Sequence, residues 1–116
     1  MTLYKIVLLP FPFDDLSTTK VRPAVCLTEK IGSYQHIVVA FITSQIPNNL
    51  LDTDLIIQSN HSEFPSSGLK VSSTLRLHRL MTVNSSLIQR ELGMLPHSLH
   101  RQVKDKLMKL FEVKSE

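Results

Sequence analysis

His36-Ile37-Val38-Val39-Ala40-Phe41-Ile42-Thr43 is the stretch that decides the fold. Its β-branched and apolar residues predict a strand, because such side chains pack well on a pleated surface. The polar turn Gly32-Ser33 separates it from a second apolar run, Ala24 to Leu27, which follows Pro23. Two runs joined by a polar turn containing glycine are typical of an antiparallel pair. The centre of the chain is therefore predicted to be β-structure.

Further strands are predicted on both sides of this pair, separated by polar loops over residues 11–20 and 59–68. In the last of them Leu75 and Leu77 alternate with polar residues, as on a strand with one buried face. Arg79 falls on the leucine face, so we expect a β-bulge or the end of the strand near it. The three further extended segments are Lys5 to Leu9, Asp54 to Gln58 and Leu69 to Val83.

The C-terminal part changes to a helical period. Apolar residues recur there at spacings of four, four and three, which predicts an amphipathic helix from Pro96 to Phe111. A short helical turn is predicted after Asn84-Ser85-Ser86, whose side chains are good caps. Residues 1–116 are treated as one domain of mainly β (α+β) class, a small barrel with one packed helix. The apolar stripe consists of Leu99, Val103, Leu107 and Leu110, with Phe111 adjoining.

Hydropathy and cysteine content argue against a membrane protein and against a disulfide-stabilised secreted protein. The apolar run Ile6 to Leu9 is too short to cross a membrane and lacks a signal-peptide cleavage site. Cys26 is the only cysteine and lies in an apolar run, so we predict a buried core thiol and no disulfide. We therefore expect a protein of the cytoplasm with no membrane partner.

Motifs for conventional cofactors and catalysts are absent from the sequence. There is no glycine-rich phosphate loop, no His-Glu-x-x-His and no Gly-x-Ser-x-Gly. Of the five histidines, only His97 and His100 have helical spacing, and no cysteine or carboxylate stands near them as a further ligand. We predict neither a metal nor a cofactor.

Three polar clusters at predicted strand ends could carry chemistry. They are residues 11–23 with Lys20 and Arg22, then Thr43-Ser44-Gln45, then Ser72-Ser73-Thr74 with Arg76. The net charge is +3, and basic residues flank these clusters. Cations beside hydroxyl groups suit a partner that carries phosphate, but charge alone does not identify nucleic acid.

The residues in these clusters resemble the MazF/PemK toxins, most of all the PemK branch. The resemblance covers nearly the whole chain in order, and it implies a barrel of the SH3-like type found in MazF and CcdB. Two positions depart from the family pattern: Tyr4-Lys5 replaces a common Gly-Asp pair, and Asp14 stands where a threonine is frequent. The matching segments are residues 6–17, Lys20-Val21-Arg22-Pro23-Ala24-Val25, residues 41–45, 68–73, 79–83 and 92–95.

The resemblance implies a metal-independent endoribonuclease that cleaves single-stranded RNA by attack of the RNA's own 2′-OH. It places Arg22 and Thr43 in the catalytic roles. A guanidinium is a poor base, so charge stabilisation is the first role expected of Arg22. Without the resemblance, Arg22 would be interpreted as one partner of a surface ion pair. Thr43 would be interpreted as a hydroxyl that hydrogen-bonds to the nearby backbone.

Supporting RNA contacts are predicted around this pair. Ser44 and Gln45 are candidate donors, and Ser72, Ser73 and Arg76 could extend a phosphate track. Phe13, with Phe11, either plugs the barrel end or stacks on an unpaired base. Lys20 belongs to the same loop, which would then help to set sequence preference.

The resemblance also implies binding partners, and two alternative functions remain open. We expect a homodimer that binds single-stranded RNA, and a cognate antitoxin that blocks the RNA groove. The first rival is a family member that binds RNA or antitoxin without cleaving. The second is a CcdB-like inhibitor of DNA gyrase, which the polar tail and the absence of tryptophan disfavour.

Overall fold

A computed structural model describes residues 1–10 and 20–112. Its six strands form one antiparallel sheet in the order β4-β5-β3-β2-β1-β6. A short helix, α1, follows β4, and a longer helix, α2, ends the described chain. The elements are β1 Lys5–Pro10, β2 Val21–Cys26, β3 His36–Thr43, β4 Asp54–Ile57, α1 Phe64–Ser67, β5 Ser73–Asn84, β6 Arg90–Met94 and α2 His100–Leu110.

Both faces of the central strands are buried, which explains their nearly continuous apolar sequence. Successive side chains on a strand point to opposite faces, so Val25 and its neighbour Ala24 belong to two separate core clusters. The cluster with Val25 includes Val103 of α2, whereas the cluster with Ala24 includes the buried Cys26. The predictions of a mainly β fold and of a buried thiol are thereby confirmed.

Two glycines let the sheet curl into a half-barrel. β4 and β6 are the two edge strands, and α1 packs against β6. Gly68 ends α1 with φ 74°, and a Cβ there would overlap the carbonyl of Leu92. A Cβ on Gly93 would overlap the backbone of Ser66 and Ser67. The two edges of the sheet are thus linked through α1 by a backbone approach that only glycine allows.

The long strand β5 contains the irregularity that the sequence predicted near Arg79. Opposite β3, Ala40 pairs with Leu80 while Ile42 pairs with Leu75, so the register shifts between them. Leu75 and Leu77 are fully buried, whereas Arg79 is exposed. The extra residues of β5 turn Arg79 away from the leucine face and make the bulge a confirmed prediction.

Other boundaries differ from the predictions. The predicted loop 59–68 contains α1, in which Pro65 occupies a first-turn position that suits proline. Extended structure begins at Ser73, not at Leu69. β6 was not predicted, because its sequence, Arg-Glu-Leu-Gly-Met, has neither clear alternation nor β-branched residues.

Helix α2 is shorter than the predicted helix. A 3₁₀ turn, His97–Leu99, precedes it, so the α-helix begins at His100. Leu99 and Val103 are buried as expected, but Phe111 is 64% exposed and does not extend the apolar stripe. The turn predicted after Asn84 is confirmed as a 3₁₀ turn, Ser85–Leu87, where the Asn84 side chain accepts a hydrogen bond from the Ser86 N–H. No helix in residues 1–10 and 20–112 is long and apolar enough to cross a membrane.

Tyr4 occupies a backbone conformation that normally requires glycine. Its φ is 70°, in the left-handed region. The Tyr4 N–H donates to the Cys26 carbonyl and its own carbonyl accepts from Leu95, so this conformation links β1 to both neighbouring strands. The ring stacks on His100 with a centroid distance of 3.7 Å. Tyrosine thus occupies, at the entry to β1, a left-handed backbone position that suits glycine.

Candidate functional site

Arg22 and Thr43 lie at the same end of the sheet. The β2–β3 ladder ends with Ala24 opposite Phe41, and Arg22 and Thr43 each lie two residues past that end on their own strand. A step of two residues keeps a side chain on the same face of a strand, so both functional groups lie on one side of the sheet. Both border the same cleft. Residues 21 positions apart in sequence therefore meet at one end of the sheet.

A hydrogen-bonded turn fixes Thr43. The Thr43 Oγ1 accepts from the Gln45 N–H at 3.2 Å, and the Gln45 carbonyl accepts from the buried Thr74 hydroxyl at 3.1 Å. Thr74 lies directly opposite Thr43 on β5. A hydroxyl has one donor and two acceptor positions, so the bond from Gln45 keeps the O–H of Thr43 available to donate. The turn holds that donor at the edge of the cleft.

The cleft is strongly cationic. It has a volume of about 550 Å³ and is bordered by β1, β2, β3, β5, β6 and the segment that follows α1. Among the residues that the structure describes, no carboxylate borders it. Such a concentration of positive charge attracts anionic ligands and favours phosphate over neutral partners. Its five basic residues are Arg22, Lys70, Arg76, Arg79 and Arg90.

Arg76 is held by a buried carboxylate. Its Nε donates to Asp54 Oδ1 at 3.0 Å and its Nη2 donates to Asp54 Oδ2 at 3.2 Å. The Asp54 side chain is completely buried, whereas that of Arg76 is 24% exposed. The same carboxylate accepts the Leu51 N–H at 2.9 Å. Paired contacts of this kind fix the plane of a guanidinium as well as its position.

The structure brings together six of the nine residues predicted for the site. Ser72 and Lys20 do not border the cleft, and the Ser72 hydroxyl instead accepts from the Ser59 N–H at 2.8 Å. Ser73 borders the cleft but is buried and donates to the Val71 carbonyl at 2.9 Å. Phe13 lies outside the described residues. The six that border the cleft are Arg22, Thr43, Ser44, Gln45, Ser73 and Arg76.

Three basic residues of the cleft were not among the predicted site residues. Lys70 and Arg79 could have been predicted from the sequence, because both lie near the third polar cluster. No sequence pattern indicated Arg90 as a site residue, since its strand was not predicted. It reaches the cleft because β6 pairs with β1, where Arg90 lies opposite Leu8, next to the Leu9–Arg22 pair. In the described chain, no group of three or more His, Cys, Asp or Glu residues is arranged to hold a metal ion.

A family model described as "PemK-like, MazF-like toxin of type II toxin-antitoxin system" matches residues 3–111. The chain belongs to this toxin family. The resemblance stated from the sequence is thereby confirmed. A comparison with curated proteins finds no significant sequence match.

Solved structures of MazF toxins share the fold of this toxin-family chain. The Mycobacterium tuberculosis toxin MazF-mt6 superposes with a TM-score of 0.71 at 18% identity, covering 96% of this chain and 99% of its own. MazF from Deinococcus radiodurans gives 0.67 at 17% identity, with 95% and 94% covered. An endoribonuclease in complex with its cognate antitoxin, from a mycobacterial species, gives 0.70 at 7% identity, with 100% and 99% covered. At these identities the likeness shows the fold alone, and the MazF-type half-barrel is confirmed.

Proposed function

We propose that this toxin-family chain is a metal-independent endoribonuclease that cleaves single-stranded RNA, including mRNA, with sequence preference. The observation that carries the proposal is that Arg22 and Thr43 border one cleft, together with four further basic residues. Family membership supports it, as does a structural neighbour named as an endoribonuclease.

Cleavage proceeds by in-line attack of the RNA 2′-oxygen on the adjacent phosphorus. The 2′-O–P bond forms while the P–O5′ bond breaks, and the products are a 2′,3′-cyclic phosphate and a 5′-OH. The 2′-OH gives up its proton and the leaving O5′ takes one up. Negative charge grows on the non-bridging oxygens, where fixed donors stabilise the transition state most.

Arg22 and Thr43 supply such donors. A guanidinium is a cation whose fork of N–H donors matches a phosphate, which suits Arg22 to this task. The Thr43 hydroxyl, which Gln45 orients, donates to a phosphate oxygen from β3, the strand next to β2. Charge stabilisation is therefore assigned to Arg22 and phosphate positioning to Thr43.

The remaining cleft residues bind the RNA chain. Ser44 and Gln45 are exposed at the edge of the cleft and present polar groups to sugars or bases. Lys70 and Arg90 add positive charge to the cleft that Arg22 borders. Lys20 is exposed one residue before β2 and serves the RNA outside the cleft, and Phe13 is proposed to stack on a base.

A cognate antitoxin and a second copy of the chain are the proposed partners. A structural neighbour is named as bound to its cognate antitoxin, and an acidic antitoxin segment would complement the cationic cleft. The cytoplasm is the proposed compartment, since RNA is available there and Cys26 forms no disulfide. Light scattering of the purified chain tests for the homodimer.

The decisive experiment incubates the purified chain with a long single-stranded RNA in EDTA. We expect discrete fragments with 2′,3′-cyclic phosphate ends. Arg22→Ala should lower the cleavage rate by about 10²–10³-fold, which is typical for the loss of one transition-state donor. Arg101→Ala is the matched control, because Arg101 is an exposed arginine on α2 and should leave the rate unchanged.

Two outcomes would contradict the proposal. Intact RNA with folded, antitoxin-free protein would exclude the nuclease, and gyrase inhibition would then be assayed. Equal cleavage by Arg22→Ala and by the original chain would exclude the assigned site but not the activity. Thr43→Val, which keeps the shape but removes the hydroxyl, tests the second residue in the same assay.

A further inference from the structure

The cleft continues past Thr43 into an outer arm. This outer arm is bordered by Ile46, Pro47 and Asn48 of the β3–β4 loop and by Arg76 and Arg79 of β5. Thr43, Gln45, Arg76 and Arg79 border both the cleft and the outer arm. Arg22 borders the cleft alone. Thr43 therefore stands between Arg22 on one side and the two arginines of β5 on the other.

We infer that the outer arm is a second phosphodiester subsite, in which Arg76 binds the phosphate next to the scissile one and Asp54 is the positioning residue that orients it. The inference rests on the proposed function, because it assigns the scissile phosphate to Arg22 and Thr43. It names a role for a buried carboxylate that the cleavage step itself does not use.

The geometry of the Arg76–Asp54 pair carries this inference. Asp54 engages Nε and Nη2, the lateral edge of the guanidinium. A planar guanidinium has five N–H donors, so its end-on edge, formed by Nη1 and the outer N–H of Nη2, stays able to fork onto a phosphate. Arg76 borders both parts of the cleft and its side chain is 24% exposed, so we assign that edge to a ligand lying across them.

Stability alone does not account for the pair. Burying a carboxylate costs free energy that offsets the attraction of the ion pair, and replacing such pairs by apolar side chains of similar volume is often neutral or stabilising. Asp54 also anchors the β3–β4 loop, since it accepts the Leu51 N–H through its side chain and donates its own N–H to the Leu51 carbonyl. One buried group thus contacts both Arg76 and the later part of the loop that borders the outer arm.

The test measures binding separately from cleavage. The probe is a uniformly 2′-O-methylated single-stranded oligonucleotide, which lacks the attacking hydroxyl and stays intact. Its dissociation constant is measured by fluorescence anisotropy over a series of salt concentrations. For a single strand, each lost phosphate contact reduces the slope of log K against log salt by about 0.7.

Arg76→Gln should reduce the slope by one such contact and weaken binding at low salt. Asp54→Asn should do the same although the charge of Arg76 is kept, because the amide N–H₂ faces the Arg76 and Leu51 donors and releases the guanidinium. A merely structural role of Asp54 would lower the melting temperature and leave the slope unchanged. Arg76→Lys retains the charge without the fork and separates charge from orientation if Asp54→Asn does not fold. Lys104→Gln, exposed on α2, is the control that should change nothing.

Three results would overturn the inference. These are an unchanged slope in folded Arg76→Gln, no binding of the probe by the original chain, and Arg76-dependent binding of polyglutamate without Arg76-dependent binding of the probe. The last would assign the outer arm to an acidic peptide. Failure of the proposed function is distinct, because it is read from RNA cleavage: probe binding that depends on Arg76 without any cleavage would support the subsite and reject the nuclease.

Discussion

Tyr4 shows how one residue can preserve a strand entry against its own backbone preference. A side chain in the left-handed region costs about 1–2 kcal/mol relative to glycine, and Tyr4 has φ 70°. The stack on His100 offsets part of this cost. His100 is itself fixed, because its Nε2 lies 2.9 Å from the Leu95 carbonyl. The N-terminus of β1 is thus attached to the start of α2.

Two substitutions separate the stack from the backbone strain. Tyr4→Ala removes the ring and keeps the strain, so we expect a loss in the free energy of unfolding of about 1 kcal/mol. Tyr4→Gly removes both and should be more stable than Tyr4→Ala by about 1 kcal/mol. Urea unfolding followed by circular dichroism measures the difference. Glycine less stable than alanine at this position would contradict the left-handed assignment.

Cys26 is a chemically silent thiol. Burial, with a smaller contribution from the Glu91 carboxylate, raises its pKa from 9.0 to about 11, while Lys5 opposes the shift. A thiol reacts as the thiolate, so both the raised pKa and the burial protect it. We expect iodoacetamide to modify Cys26 at pH 8 only when the chain is unfolded in urea. Rapid modification of the native chain would contradict this.

The same shift predicts a loss of stability in alkali. Below pH 9 the native and the unfolded chain both keep the thiol proton, so the contribution of Cys26 to the free energy of unfolding is fully present. As the pH rises from 9 to about 11, the unfolded chain loses the proton while the native chain still holds it, so the free energy of unfolding falls. Cys26→Ala lacks this proton and should show a smaller fall over the same interval. Identical pH profiles would be the contrary result.

At the scale of elements, the closure of the half-barrel depends on α1 and β6. The chain offers three glycines in different situations. Gly32 has φ 73° and open space around it, Gly93 has a crowded backbone contact without positive φ, and Gly68 has both. The three positions allow strain and crowding to be measured one at a time.

Alanine substitutions should destabilise the fold least at Gly32, more at Gly93 and most at Gly68. Gly32→Ala should cost about 1 kcal/mol through φ alone. Gly93→Ala should cost about 1–3 kcal/mol, because overlap with backbone cannot be relieved by a side-chain rotation. Gly68→Ala combines the two effects. Chemical denaturation of the three variants measures the order, and a Gly93→Ala variant as stable as the original chain would show that α1 does not close the sheet.

At the scale of the whole molecule, the cleft concentrates more positive charge than the net charge of +3 implies. Segments from distant parts of the chain contribute its cations, among them Lys70 after α1 and Arg90 on β6. Clustered charge of this kind raises the local concentration of an anionic ligand and makes binding sensitive to salt.

Lys70→Gln and Arg90→Gln should each weaken the binding of single-stranded RNA at low salt. Each should reduce the slope of log K against log salt by about 0.7, because one phosphate contact is lost. Fluorescence anisotropy with the 2′-O-methylated probe measures the slopes, and Lys104→Gln, exposed on α2, is again the control. A control that weakens binding as much as Arg90→Gln would mean that overall charge, not the cleft, binds the RNA.

The sequence by itself determined the β-branched central strand, the buried Cys26 and the apolar stripe of α2. Through the family resemblance it also predicted Arg22 and Thr43 as catalytic residues, and both border the cleft. These depend on local periodicity and on residue types in order, which a single chain displays directly. It also predicted the irregularity near Arg79, because one residue broke the alternation.

Only the tertiary structure decided which groups meet. Arg90 enters the cleft because β6 pairs with β1, and Ser72 is drawn away by a hydrogen bond to the Ser59 backbone. The bond between Asp54 and Arg76 joins residues 22 positions apart on neighbouring strands. Sheet register and curl, which bring distant backbone segments together, set these contacts, and local sequence pattern carries no record of them.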